Sequence, residues 1–323
     1  MSEKLDKSNT PAKPRPHGAR KLSLQERELL RHNENHPAVS HGYFNSYDGT
    51  RLFYSIEGTG KPLIFCYGLV CSSLHWTYQI EHFRRSYKTV WFDYRGHQNS
   101  DAPKDLNTLS VDCISRDLET LLDELKIEDA VFLGHSMGVN VLLDFYKRNP
   151  KRVHGMVLCN GTPRRPLESL FKSNATEAVF KLLTQLENKA PTLVKKIWPM
   201  QKRNPVLKSL IRLGGFNPNL TPREDIDLYV DQVAEMDPKV FVHLINNYSH
   251  YDATAWLHKI NVPSLILGGE RDRVIPKEEQ ELMAQLIPSS QLEIIKHGSH
   301  CPQMDMPEFI NGKVDTFLKS LKY

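Results

Sequence analysis

The run Gly134-His135-Ser136-Met137-Gly138 places a serine between two glycines, after an apolar stretch and before a helical pattern. A serine hydroxyl becomes a strong nucleophile only when a base lies within hydrogen-bond reach and an acid orients that base. Glycines on both sides of a strand-to-helix turn let neighbouring backbone pass closely, so that the hydroxyl projects toward a substrate. The run therefore predicts Ser136 as a nucleophile; taken alone, it also fits a serine that caps the following helix.

Two later segments supply an acid and a base in the chain order that such a serine needs. Asp272 and Glu270 follow one apolar stretch directly, and we take Asp272 as the acid, with Glu270 as the alternative. His300 and His297 follow the next apolar stretch, and we take His300 as the base, with His297 in reserve. The carboxyl ends of parallel strands lie at one edge of a sheet, so these side chains are expected beside Ser136. A surface carboxylate paired with a neighbouring arginine is the other interpretation of either acid.

The elements that must position these side chains alternate between strand and helix. Continuous apolar strands in such an alternation predict an α/β fold with a mostly parallel, doubly wound sheet of about eight strands. The first two strands form a hairpin around Asp48-Gly49 and add an antiparallel edge. The predicted strands are residues 42–47, 51–56, 62–67, 89–94, 130–134, 155–159, 263–268 and 291–295, and the predicted helices are 74–84, 110–125, 137–146, 277–286 and 307–321.

From about residue 41 to 321 the chain resembles the α/β-hydrolase fold superfamily, as a lid-bearing member similar to serine esterases and lipases. The motifs that carry this resemblance, besides the serine run, are Cys66-Tyr67-Gly68 with Ser73 and Trp76 after it, Asp93–Ser100, and Asn261-Val262-Pro263. The resemblance implies a catalytic triad of Ser136, Asp272 and His300. It also implies an oxyanion hole formed by the backbone N–H groups of Leu69 and Met137, and no metal or organic cofactor.

The implied activity is hydrolysis of a carboxylic ester, thioester or lactone of a fairly apolar small-molecule acyl substrate, through an acyl-enzyme. Haloalkane dehalogenases and epoxide hydrolases of this fold use a carboxylate nucleophile, which Ser136 excludes. Three other reactions on the same triad stay open, namely carbon–carbon bond hydrolysis, acyl transfer and perhydrolysis. A non-catalytic binding protein of the same fold is the remaining alternative.

Two positions depart from the family pattern, and a third bears on which strand carries the acid. Tyr67 stands where the family usually has a histidine, which could change how the oxyanion loop is anchored. Gln98 replaces a glycine, and we interpret it as structural. Some relatives carry the acid after the preceding strand, where Asn160 stands here; an asparagine cannot serve as the acid, which supports Asp272.

The chain is expected to divide into an extension, a core and an insertion. Residues 1–40 are predicted to be a disordered extension with a short helix over 23–32, residues 41–163 and 255–323 form the α/β core, and residues 164–254 form a helical lid after the sixth strand. Between residues 193 and 216 the lid mixes apolar with basic residues, and Pro199 and Pro205 interrupt it. Two interpretations stay open: a lipid-facing lid that contacts a membrane surface, or a solvated basic face over a lid packed on the core.

The composition is that of an ordinary globular chain, with 40% hydrophobic and 25% charged residues. A net charge of +4 is too small for a dedicated nucleic-acid-binding protein, so no nucleic-acid partner is expected. The five cysteines form no C-x-x-C pair, which argues against a disulfide framework or a zinc site. Without an apolar run of the ~20 residues that span a bilayer, and without a secretory signal, the chain is predicted to be cytoplasmic.

Overall fold

The computed structural model describes residues 39–169 and 174–323. The predicted N-terminal extension, including its short helix over 23–32, lies outside the described residues except for residues 39–40. The strands are β1 Val39–Asn45, β2 Arg51–Glu57, β3 Pro62–Cys66, β4 Lys88–Phe92, β5 Ala130–His135, β6 Val153–Cys159, β7 Ser264–Gly269 and β8 Ser290–Ile295. These eight strands form one sheet in the order β1-β2-β4-β3-β5-β6-β7-β8.

The sheet is mostly parallel, as predicted from its apolar strands. Strands β3 to β8 pair in parallel, whereas β1 pairs with β2, and β2 with β4, in antiparallel fashion. Every residue of β5 and of β7 is buried, so side chains on both faces of these strands are covered. A parallel sheet needs this double cover because its connections run over both faces.

Helices connect the strands of the core. The helices of the core are α1 Thr77–Phe83, α2 Val111–Glu124, α3 Met137–Arg148, α10 Lys277–Leu286, α11 Pro302–Asp305 and α12 Pro307–Ser320. Strand β5 leads directly into α3, and β7 leads through a loop into α10, so the segments with the proposed nucleophile and acid both leave the carboxyl end of a parallel strand.

Between β6 and β7 the described residues contain helices and no strand. The helices of the insertion are α4 Pro166–Ser169, α5 Asn174–Lys189, α6 Pro191–Ile197, α7 Pro205–Gly215, α8 Arg223–Glu235 and α9 Pro238–Tyr248. Pro199 and Pro205 divide the middle of this insertion: α6 ends at Ile197, a 3-10 turn follows over Trp198–Arg203, and α7 begins at Pro205. A proline inside a helix removes a backbone donor, so the break falls where the prolines stand.

A small apolar cluster, separate from the main hydrophobic core, joins the insertion to the rest of the protein. Phe216 and Ile226 of the insertion are buried together with core side chains from the segments after β3 and β8, namely Leu74, Cys301 and Met304. Helix α9 also lies close to the loop after β4, where a Cβ on Gly96 would come within 2.6 Å of Val240 Cγ1. This part of the insertion is therefore a packed continuation of the core.

The described residues also bear on the predictions from composition. None of their helices has the length and apolar character needed to cross a bilayer. All five cysteines are buried and unpaired. Among the described side chains, no group of three or more histidines, cysteines or carboxylates is arranged to bind a metal ion.

Candidate active site

Ser136 occupies a sharp turn between β5 and α3. Its backbone angles are φ 54° and ψ −122°, a conformation that non-glycine residues rarely adopt, and its side chain makes no capping hydrogen bond to α3. The two glycines of the run make the turn possible. A Cβ on Gly138 would lie 2.4 Å from the carbonyl oxygen of Cys66, and one on Gly134 would lie 2.8 Å from Leu142 Cδ1. The backbone therefore presents Ser136 as a part-exposed residue among buried neighbours.

The three residues proposed as a triad lie in one chain of hydrogen bonds. His300 Nε2 lies 3.1 Å from Ser136 Oγ, and His300 Nδ1 lies 2.9 Å from Asp272 Oδ2. The carboxylate can only accept, so Nδ1 carries a proton and Nε2 is the nitrogen that faces the serine hydroxyl. The other oxygen of Asp272 accepts from the backbone N–H groups of Val274 at 2.8 Å and Ile275 at 2.9 Å. These donors hold the carboxylate in place, and the side chain of Asp272 has no exposure to solvent.

The alternative acid and the reserve base lie together, away from this chain of hydrogen bonds. The backbone N–H of His297 donates to Glu270 Oε2 at 3.1 Å, and the Nδ1 atom of the same histidine is 4.0 Å from that oxygen. Both side chains are nearly half exposed. Their contacts join the loops after β7 and β8 at the surface, so the structure brings Asp272 and His300, not these two residues, to Ser136.

Asn160 supports the acid through contacts that sequence reasoning did not find. It follows β6 with φ 50°, and its Nδ2 atom donates to Asp272 Oδ2 at 2.5 Å and to the carbonyl of Ser299 at 3.0 Å. Its Oδ1 atom accepts from the backbone N–H of Gly269 at 3.2 Å. The amide thus ties the ends of three adjacent strands together. The sequence signal was its position after β6, at the same sheet edge as the acid.

His135, inside the serine run, supports the base in a similar way. Its Nε2 atom donates to the backbone carbonyl of His300 at 2.8 Å, and the two rings lie 4.9 Å apart. Burial, together with the neighbouring imidazoles, holds the pKa of His135 well below its usual value. A neutral ring with its proton on Nε2 therefore fixes the backbone of the proposed base.

A second buried imidazole, His75, lies next to His135 with a ring separation of 5.3 Å. Its ring is 4.8 Å from that of Tyr229 in α8, and within the described part of the chain neither of its nitrogens has a hydrogen-bond partner. Burial, together with the neighbouring His300, lowers the pKa of His75 to about 3. His75 is therefore neutral at any pH where the protein is expected to work.

The loop after β3 passes directly beside the serine. A Cβ on Gly68 would lie 3.0 Å from Ser136 Cβ, which brings the following residue, Leu69, next to the nucleophile. Met137 is the first residue of α3, and the N–H of a first helical residue has no acceptor within its own helix. Both proposed oxyanion donors therefore belong to backbone that borders Ser136.

Tyr67, the first departure from the family pattern, anchors this loop from below. The backbone N–H of Tyr94 donates to the Tyr67 hydroxyl at 2.8 Å, the Tyr94 hydroxyl donates to the Tyr67 carbonyl at 3.0 Å, and the rings stack at 4.2 Å. Burial raises the pKa of both phenols far above the usual range, so both stay protonated. The tyrosine pair thus joins the ends of β3 and β4.

Gln98, the second departure, has φ 42°, in the region where glycine is favoured. The loop around it is held by its own bonds: Asp93 accepts from the backbone N–H of Asn99 at 3.1 Å, and Ser100 Oγ donates to the Asp93 carbonyl at 2.6 Å. These contacts make the loop part of the scaffold, in agreement with the structural interpretation of Gln98.

Helix α8 of the insertion packs on the loop after β3, which passes beside Ser136, and on the 3-10 turn and helix α1 that follow this loop. Tyr78 donates to Asp225 at 2.6 Å, and Ser72 donates to Gln232 at 2.7 Å. Tyr229, between these two positions on α8, contacts the ring of His75. Residues 225, 229 and 232 are spaced to share one face of a helix. The insertion therefore reaches the loop next to Ser136 through one side of α8.

A second set of bonds ties the insertion to the loop that carries His300. Asp305 Oδ1 accepts from the backbone N–H of Asn217 at 3.0 Å and from Thr221 Oγ1 at 2.6 Å, while its Oδ2 atom accepts from the backbone N–H of Ser299 at 2.7 Å. Burial raises the pKa of Asp305, and its donors oppose that shift. One buried carboxyl thus joins both sides of the boundary between insertion and core.

Comparison with known proteins gives the same architecture. A family model described as alpha/beta hydrolase fold matches residues 61–307. Among curated proteins, Epoxide hydrolase 4 of Mus musculus is 26% identical over 302 residues, which cover 88% of this chain and 81% of that protein. Bifunctional epoxide hydrolase 2 of Sus scrofa is 26% identical over 304 residues, which cover 85% of this chain and only 54% of that longer protein. Among solved structures, the enol-lactonase from Burkholderia xenovorans LB400 matches with a TM-score of 0.72 at 20% identity, over 86% of this chain and 100% of that one.

Proposed function

The chain belongs to the alpha/beta hydrolase fold family, and on that basis we propose that it is a serine hydrolase with Ser136 as its nucleophile. The proposed reaction is cleavage of a carboxylic ester, thioester or lactone of a fairly apolar acyl group. The observation that carries the proposal is the pair of distances at His300, 3.1 Å to Ser136 Oγ and 2.9 Å to Asp272 Oδ2. A base between a hydroxyl and a buried carboxylate is what acyl transfer to serine requires.

In the proposed mechanism, His300 Nε2 takes the proton of Ser136 as Oγ attacks the acyl carbon. The negative charge that develops on the substrate oxygen is stabilised by the backbone N–H groups of Leu69 and Met137, each worth about 3 kcal/mol of barrier. Asp272 holds the imidazole in the required tautomer and stabilises its charged form. His300 then protonates the leaving group, and a water molecule, deprotonated by the same imidazole, releases the acyl group from Ser136.

Ser136 also distinguishes the proposed ester hydrolysis from epoxide hydrolysis, the activity for which the two curated relatives are named. The resemblance to the fold superfamily implies that its epoxide hydrolases use a carboxylate nucleophile, whereas the residue at position 136 carries a hydroxyl. The carboxylate of Asp272 is engaged by His300, Asn160 and two backbone donors, so it supports a base and does not face a substrate. These contacts favour acyl transfer over epoxide opening.

We further propose that the insertion acts as a lid that sets substrate choice. Its α8 helix contacts the loop beside Ser136, and Asn217 and Thr221 contact the loop beside His300. Phe216 and Ile226 are buried against Cys301, the neighbour of the proposed base, so the insertion packs on the loop that carries His300.

Turnover of p-nitrophenyl esters of increasing acyl length tests the proposal. We expect hydrolysis by the wild-type chain and a loss of roughly 10⁵- to 10⁶-fold in kcat for Ser136→Ala, as for other serine hydrolases. Ser249→Ala, at the end of α9, is the matched control and should keep wild-type activity. Unchanged turnover in Ser136→Ala, or opening of an epoxide by a wild-type protein that hydrolyses no ester, would overturn the assignment.

A further inference from the structure

The outer part of the insertion exposes an unusual amount of apolar surface. We call residues 174–203 the outer segment; it comprises α5, α6 and the 3-10 turn after them. Its large apolar side chains that are exposed, with their exposed fractions, are Val179 61%, Leu182 57%, Leu186 44%, Leu193 55%, Ile197 48% and Met200 67%. Single exposed apolar side chains are common, but this many within one short segment mark an interaction surface.

These side chains do not belong to the faces with which the segment packs on the protein. On α5, residues 179, 182 and 186 share one face, whereas Phe180 packs against Phe241 of α9 with a ring separation of 6.0 Å. After α6, Trp198 packs against the same Phe241 at 5.4 Å and is buried, as is Val194. The apolar residues of α6 are thus divided between an inner side, with Val194, and an outer side, with Leu193 and Ile197.

The outer segment also carries a charge equal to the net charge of the whole chain. It contains six basic residues and two acidic ones, whereas the whole chain has 42 and 38, so the remainder has 36 of each sign. Of the two acids, Glu187 is buried. Lys195 lies 3.6 Å from Asp237, but its side chain is 75% exposed, and so open an ion pair is weak. Lys189 and Lys196 are exposed as well.

Apolar side chains beside lysines fit the surface of an anionic bilayer. An interfacial helix inserts its apolar residues at the boundary between headgroups and acyl chains, while nearby lysines contact anionic headgroups. The core of a protein–protein interface is instead depleted of lysine, which argues against a second copy as the occupant. We propose that the outer segment docks this protein on anionic lipid surfaces.

The docking is independent of the proposed chemistry, so its test uses binding alone. Sedimentation of the full chain with vesicles of phosphatidylcholine containing phosphatidylserine should show binding that weakens as salt is raised. Pure phosphatidylcholine vesicles should bind far less. Ser136→Ala should bind as the wild type does, so that loss of activity and loss of docking are separate results.

The apolar contribution is tested by Leu182→Gln combined with Leu186→Gln. Glutamine keeps the helix propensity of α5, and both positions are exposed, so the fold should be retained. We expect the binding constant to fall about tenfold or more, since two large side chains no longer leave water. The matched control is Phe309→Gln in α12, an exposed apolar residue of the core, which should bind normally.

The charge contribution is tested by Lys195→Gln combined with Lys196→Gln. Each lysine near an anionic surface contributes about fivefold to binding, so about 25-fold is expected for the pair at low salt. Lys259→Gln with Lys319→Gln removes two exposed charges elsewhere and serves as the control. Absence of binding to anionic vesicles, equal binding by test and control variants, or a dimer in sedimentation velocity that the leucine variant dissociates would each overturn the proposal.

Discussion

Replacing His75 with phenylalanine is expected to remove a pH-dependent destabilisation from the folded protein. His75 is buried, its ring nitrogens have no partner within the described residues, and its pKa in the folded state is about 3. In the unfolded chain a histidine titrates near pH 6.5. Between pH 6.5 and pH 3, His75 is protonated in the unfolded state but not in the folded state. The free energy of unfolding therefore falls as the pH is lowered through this range.

The size of the effect follows from the two pKa values. At pH 8 both states are neutral and His75 contributes nothing to the pH dependence. At pH 5 protonation of the unfolded chain lowers the free energy of unfolding by about 2 kcal/mol for this one residue. His135, whose pKa is also held low by burial, contributes in the same direction in both proteins.

Urea unfolding of wild type and His75→Phe at pH 8 and pH 5 measures this difference. The phenylalanine changes packing at both pH values, so the comparison uses the change between pH values and cancels the packing effect. The variant should lose about 2 kcal/mol less than wild type on going from pH 8 to pH 5. His250→Phe, at an exposed position after α9, should keep the wild-type dependence. An equal loss in wild type and His75→Phe would refute the reasoning.

Three further substitutions examine how the proposed acid works. Asp272→Asn should lower kcat for esters by about 10⁴-fold because the imidazole loses its orienting carboxylate, while Glu270→Gln should stay within about twofold; similar losses in both would contradict the choice of acid. Asn160→Gly, which keeps a residue that tolerates φ 50° but removes the amide bonded to Asp272, should lower kcat about tenfold with little change in KM; a raised KM with unchanged kcat would show that Asn160 acts on substrate binding instead.

The strand and helix pattern was predictable because its signals are local. An apolar stretch such as residues 130–134, followed by Gly-x-Ser-x-Gly and a helical pattern, defines a strand, a turn and a helix without knowledge of the rest of the chain. The chain order then placed an acid and a histidine after later strands, and parallel strands carry such positions to one edge. The described structure confirms the mostly parallel sheet of eight strands.

The supporting contacts were not predictable, because they join residues far apart in sequence. His135 bonds a carbonyl 165 positions away, Tyr78 bonds Asp225 across 147, and Asn160 bonds Asp272 across 112. The residues next to His135 and Tyr78 in the sequence do not indicate their partners, and the position of Asn160 after β6 indicates a sheet edge but not a bond to Asp272. Apolar periodicity likewise finds helices in the insertion, but it cannot say which apolar side chains meet the core and which, like Leu182, remain exposed.

The bonds that join the insertion to both loops of the site bear on protein engineering. Exchanging insertions between members of a fold family is a direct way to change substrate range, provided that the graft is self-contained. Here it is not, because Asp305 of the core accepts from Asn217 and Thr221 of the insertion, and Ser72 of the core donates to Gln232. A chimera that replaces residues 164–254 leaves the buried carboxyl of Asp305 without two of its hydrogen-bond donors, unless the inserted sequence provides equivalent groups. The transferable unit is therefore the insertion together with its hydrogen-bonding partners on the core.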